Sequence, residues 1–181
     1  VNRLAAAAAL ASTLCLGLTT LTPPAPARAA IDTATASIPV PGGVVEVHTT
    51  ANCVLAENQC HFTASANLLT PEGPTGFPPD LWARQTTTLR SMDKLNYLGD
   101  TYFFGENTRM FKGLGPVEFT TIYFGAGPVE KYRISGFTRT VNWRDGQPKT
   151  DADYIVCSHI QVVWAGVNLT TPDACAQTTY S

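Results

Sequence analysis

Cys53 and Cys60 stand seven residues apart between two runs of alternating apolar and polar side chains, and no other feature of the chain constrains its fold so tightly. Side chains along a strand alternate between faces, so a register fixed at one rung is fixed at every rung. If the two cysteines oppose each other across a hairpin, partners are the residues whose numbers sum to 113. One face then carries Val45, Val47, Thr49 and Ala51 against Phe62, Ala64, Ala66 and Leu68. The other carries Glu46, His48, Thr50 and Asn52 against His61, Thr63, Ser65 and Asn67. A slip of one residue on either strand mixes the two sets, so the spacing predicts a hairpin over residues 44–69 closed by a Cys53–Cys60 disulfide.

Of the five cysteines, Cys15 lies in an apolar N-terminal run, which leaves Cys157 and Cys175 as the second pair. An even set of four in an exported chain reads as two disulfides. Zinc is the rival, but no Cys-x-x-Cys pair occurs and His61 would point away from Cys60 to the opposite strand face. The Cys157–Cys175 bridge would tie a C-terminal tail back to a strand and stabilise the fold by about 3 kcal/mol through loop closure.

Arg3, then an alanine- and leucine-rich run to Leu21, then Pro23, Pro24 and Pro26 and the small-x-small triplet Ala27-Arg28-Ala29 have the order of a cleaved secretory leader. Cleavage after Ala29 makes residues 1–29 the leader and residues 30–181 a single domain. Thr19-Thr20 and the short span count against a membrane anchor. Leu14 stands before Cys15 where a lipid-attachment signal takes a small residue. Val1 fits a bacterial valine start. The exported part then carries a net charge of about -4 on 152 residues, with no basic arm for nucleic acid or anionic lipid.

Downstream, Pro71, Gly73, Pro74, Gly76, Pro78 and Pro79 predict a loop over residues 70–80. Residues 81–90 read as a strand, and Leu89, Met92, Leu95 and Leu98 before Gly99 have the spacing of a short helix. Residues 31–37 show no period and read as a lead-in. Segments 101–104, 109–112, 117–124, 129–141 and 153–167 are strand-like, separated by glycine-rich turns, and residues 168–181 read as a tail. The 153–167 strand is apolar on both faces and so should be covered on both. Seven to nine strands with at most one helix imply an all-β fold, an antiparallel two-sheet sandwich of jelly-roll or immunoglobulin-like type, with a closed antiparallel barrel as the alternative.

Candidates for chemistry are sparse. His48 and His61 lie on the polar hairpin face about 13 Å apart, too far to share a metal. Ser158 and His159 are strand neighbours and point to opposite faces. Glu118 and Glu130 would sit on different rungs and opposite faces of a hairpin turned at residues 125–128. Asp145, Asp151 and Asp153 offer oxygen ligands without calcium-loop spacing. Asn168-Leu169-Thr170 matches a glycosylation acceptor. No metal or cofactor is expected.

Aromatic side chains are the one unevenness, with 11 of 17 falling between residues 97 and 143. Runs such as Tyr102-Phe103-Phe104 must send rings to both faces of a sheet, so some line a groove or an interface. The expected ligand surface comprises Tyr97, Tyr102, Phe104, Tyr123, Tyr132 and Trp143. The leading expectation is a secreted, non-catalytic binding domain of a bacterial cell envelope or secretome, taking an envelope or extracellular glycan, lipid or protein. The alternative is a secreted hydrolase whose carboxylates or histidine come together from distant strands.

Overall fold

The alternation in the hairpin is realised rung by rung. The computed structural model describes residues 31–181; the leader read over residues 1–29, and Cys15 within it, lie outside the described residues. Strands β2 (Gly43–Val54) and β3 (Gln59–Thr70) pair antiparallel from Val44 opposite Leu69 to Val54 opposite Gln59, the register expected from the cysteines. Cys53 and Cys60 are bridged with Cα atoms 3.9 Å apart. Their face turns inward, so that Val45, Val47, Ala51, Phe62, Ala64 and Ala66 are buried.

Two six-stranded antiparallel sheets pack face to face. The first runs β1 (Ile31–Val40), β2, β3, β9 (Arg133–Asn142), β6 (Asn96–Phe104), with the short β4 (Gly73–Thr75) beside β3. The second runs β11 (Val167–Thr170), β10 (Tyr154–Trp164), β5 (Trp82–Ser91), β8 (Val117–Phe124), β7 (Thr108–Lys112), with β12 (Ala174–Thr178) also on β10. No ladder joins the sheet edges among the described residues, so the fold is a sandwich and not a barrel.

The core fills the space between the sheets in two adjoining halves. In one, Val45, Val47, Ile160 and Val162 surround Phe77 and Tyr132. In the other, Phe119 stacks on Phe62 and tilts against Phe103, both at 5.2 Å, beside Leu89 and Val156. Burying a ring such as Phe119 stabilises the fold by about 1.5–3 kcal/mol. A buried polar chain crosses the second sheet: the Tyr123 hydroxyl donates to Gln85, Gln85 donates to Ser158, and Ser158 donates to the Thr86 carbonyl. Ser158 and His159 lie on opposite faces of β10, as their adjacency requires.

Several expectations need correction. Residues 31–37 belong to a ten-residue strand, in which Ala34, Ala36 and Ile38 face the core while Thr33, Thr35 and Ser37 face out. The helix read from Leu89, Met92, Leu95 and Leu98 is absent: Leu89 and Leu98 are core residues of β5 and β6, and Met92 and Leu95 lie exposed on the connecting turn. The 70–80 loop contains β4.

The 129–141 segment opens with a 3-10 turn over Val129–Tyr132 before β9 begins. Strands β8 and β9 are not a hairpin, because the chain changes sheets between them. Glu118 therefore lies on β8 of the second sheet and Glu130 on the 3-10 turn that leads into the first, both exposed. The 153–167 strand breaks at a turn before Val167, and its outer face is half-open at Cys157, His159, Gln161 and Val163 instead of covered. The expected tail supplies β11 and β12, with Cys157 directly opposite Cys175.

Candidate ligand-binding face

The outer face of the first sheet combines exposed rings with an ordered polar chain. Cross-strand registers place Ile31, Asn52, His61, Phe137 and Tyr102 in one row across five strands. Thr33, Thr50, Thr63, Ser135 and Phe104 form the next row. Within the first row Tyr102 stacks on Phe137 at 5.0 Å, and Phe137 lies 6.0 Å from the His61 ring. The His61 Nε2 atom in turn lies 3.0 Å from the Glu57 carboxylate.

A bulge between Leu98 and Thr101 shapes this surface. An extra residue in a strand reverses the parity of the side chains after it. Tyr97 and Tyr102, five positions apart, consequently share the outer face, opposite Val141 and Phe137. Phe103 turns inward to Phe119, while Tyr102 and Phe104 are 56% and 68% exposed. Tyr97 and the exposed Trp143 form an edge-to-face pair at 5.3 Å farther along the same side.

Tyr123 and Tyr132, also expected on the ligand surface, are core residues at 4% and 0% exposure. Tyr123 has inward parity on β8, and Tyr132 ends the 3-10 turn that carries the chain into the first sheet. They meet edge to face at 5.4 Å, and Tyr132 donates a 2.7 Å hydrogen bond to the Gly125 carbonyl. Burial pushes both phenols above their ordinary pKa. The sequence-picked set thus divides into Tyr97, Tyr102, Phe104 and Trp143 on the surface and two rings inside.

The same face holds a polar chain built from Glu46, His48 and Asn67 of the polar hairpin set. The Asn67 amide Nδ2 donates to Glu46 at 3.1 Å, which leaves Asn67 Oδ1 to accept from His48 Nε2 at 2.7 Å. That fixes a hydrogen on Nε2, and in the neutral imidazole Nδ1 accepts from the Thr35 hydroxyl at 2.9 Å. Asn67 is buried and His48 half-exposed. The register contains the signal: Asn67 opposes Glu46, and His48 opposes Ser65. Next in the His48 row stands Arg133, exposed, at a cavity of about 230 Å³ lined also by Ser65, Pro74, Val129 and Glu130.

The remaining candidates are dispersed. Asp145 accepts from the Gln147 backbone, Asp151 pairs with Lys149 and Asp153 accepts from Gln177. The hydrogen bond to Lys149 holds the Asp151 carboxyl below the usual carboxylate range. Asn168 is exposed on β11 and accepts from Gln161. His159 lies 2.7 Å from Asp173 on the outer face of the second sheet, beside the Cys157–Cys175 bridge.

Fold, disulfides and surface together define a two-disulfide β-sandwich of the kind that matures in an oxidising environment. No helix among the described residues is long and apolar enough to cross a membrane. No protein-family model matches the chain, and comparison with curated proteins finds no match.

Proposed function

We propose that this domain is a non-catalytic binding module, exported by its leader to a bacterial cell envelope or beyond, and that its ligand is a glycan seated on the outer face of the first sheet. The observation that carries the reading is the exposure of Tyr102 and Phe104 on one strand while Phe103 between them fills the core. Two rings at alternate strand positions stand about 7 Å apart, a spacing suited to an extended ligand with flat apolar faces. A sugar ring offers such a face through its C–H bonds and presents hydroxyls at its edge. The Glu46, Asn67 and His48 chain and the Arg133 guanidinium supply oriented polar partners farther along the same face. A few placed polar groups beside apolar contact area are the usual composition of a ligand site.

The test is titration of the folded protein with soluble glucans, mannans, arabinans and peptidoglycan fragments, followed by calorimetry and tryptophan fluorescence. Binding to at least one class is expected, with at least tenfold loss in the Tyr102→Ala/Phe104→Ala double variant, which still unfolds in one cooperative transition. No binding across the panel, or full binding by the double variant, overturns the proposal.

The hydrolase alternative has one supporting feature, the carboxylate, amide, imidazole and hydroxyl chain ending on Thr35. Turnover of any panel glycan that disappears in His48→Gln would replace the binding reading with that one.

A further inference from the structure

The two disulfides occupy opposite environments. Cys53 and Cys60 are fully buried on the inner face of the first sheet. Cys157 and Cys175 bridge β10 and β12 on the outer face of the second sheet, where Cys175 is exposed and Cys157 half-exposed. Their bridge lines an open groove of about 340 Å³ together with Thr88, Arg90, Glu118, His159 and Asp173. We propose that Cys157–Cys175 is a thiol-exchange site, open to small thiols and dithiols, while Cys53–Cys60 is inert in the folded protein.

Exchange needs an attacking thiolate in line with one sulfur and stabilisation of the sulfur that leaves. Cys175, the more exposed, is the sulfur open to attack. The incoming thiolate forms a bond to Cys175 Sγ, the Cys157–Cys175 bond breaks, and Cys157 departs with the electron pair as a thiolate. Arg90 opposes Ile155, the position two residues before Cys157 on the same outer face, and lines the same groove as the departing sulfur. His159 is two residues beyond Cys157 on that face, about 7 Å along the strand. Arg90 is the permanent cation of the groove, and a cation beside a sulfur lowers its thiol pKa and favours its departure. The Glu118 and Asp173 carboxylates act against it, Asp173 being held 2.7 Å from His159. With a dithiol, the second thiol attacks the mixed disulfide, frees Cys175 as its thiolate and leaves as the oxidised cyclic disulfide. The site needs nothing from the glycan face, which lies on the other sheet.

Cleavage would remove the covalent tie on β12, whose Ala174 carbonyl accepts from the Thr49 hydroxyl of the opposing sheet. The experiment is graded exposure of the folded full chain to glutathione or dithiothreitol, with any free Cys15 blocked beforehand. Alkylation and peptide mass spectrometry then follow each cysteine. Cys157 and Cys175 should react at least tenfold faster than Cys53 and Cys60, glutathione should be found on Cys175, and the preference should vanish in guanidinium. Faster amide exchange over residues 174–178 should accompany reduction. Equal rates in the folded protein, earlier reaction of Cys53 and Cys60, glutathione on Cys157, or a preference that persists in guanidinium would overturn the proposal.

Discussion

Tyr102 lies over Phe137 with ring centroids 5.0 Å apart and planes 30° from parallel, across the outermost ladder of the first sheet. The pair is held from below by Phe103, whose ring points the other way into the sandwich against Phe119. One strand thereby serves the core and the surface with consecutive residues.

That division predicts opposite responses to the same chemical change. Tyr102→Ala and Phe104→Ala each remove an exposed ring and should cost less than about 1 kcal/mol in urea unfolding. Phe103→Ala removes a ring packed on Phe119 and should cost about 2–4 kcal/mol. Similar losses at all three positions would contradict the alternation.

Gly136 sets how closely β6 approaches β9. A Cβ added there would stand 2.1 Å from the Tyr102 carbonyl oxygen and 2.9 Å from Phe103 Cα and from the Phe62 ring. Two of these neighbours are backbone, so they must shift, and overpacking of this kind costs about 1–3 kcal/mol. Gly136→Ala should lower the melting temperature and also weaken ligand binding, since the displaced strand carries Tyr102 and Phe104. Unchanged melting would sink this account.

Asn67 is the joint of the polar chain. Asn67→Ala leaves the His48 Nε2–H without its acceptor and Glu46 without its amide donor, at an expected cost of about 1–3 kcal/mol. Glu46→Gln keeps an acceptor oxygen in place and should cost less than Asn67→Ala. Chemical denaturation of the two variants ranks them, and the reverse order would show that the carboxylate charge holds the chain.

Four of the six tyrosines, Tyr123, Tyr132, Tyr154 and Tyr180, have phenols raised above the ordinary value, chiefly by burial. A raised folded pKa contributes stability that is complete below the unfolded value, near pH 10, and is lost as pH rises through the folded value. Above pH 10 the unfolded chain holds fewer protons than the native one, so stability falls with increasing pH. Absorbance at 295 nm should therefore show a late ionisation phase coincident with loss of near-ultraviolet circular dichroism. Complete tyrosine ionisation with the fold intact would contradict it.

The hairpin was legible because one covalent pair fixes a two-residue repeat, and Val45 through Leu68 then sort themselves onto faces. The β1 strand was not, because Ala34 and Ala36 on its inner side are too small to stand out against Thr33 and Thr35. Leu89 and Leu98 imitate a helical period only because a turn separates the two strands they belong to. Tyr123 and Tyr132 were misplaced for a related reason. Spacing reports pairing with the next strand, while the chain here changes sheets between β8 and β9. Of the surviving surface rings, Tyr102 and Phe104 were visible from the run of three aromatics, whereas the bulge that aligns them with Tyr97 falls at Gly99 and Asp100, where the glycine also fits the end of a helix.

The sequence separation of partners within the second sheet and between the two sheets also has a kinetic consequence. Ser158 meets Thr87 across 71 residues of chain, and the Thr49 hydroxyl meets the Ala174 carbonyl across 125. Loop closure on that scale comes before any contact can offset it, and sheets built this way fold slowly. The β1–β2–β3 meander, by contrast, closes over short turns and is pinned by its own bridge. A growing chain therefore carries the inner faces of β1 and β2 uncovered until β10 and β12, the strands that pack on them, arrive.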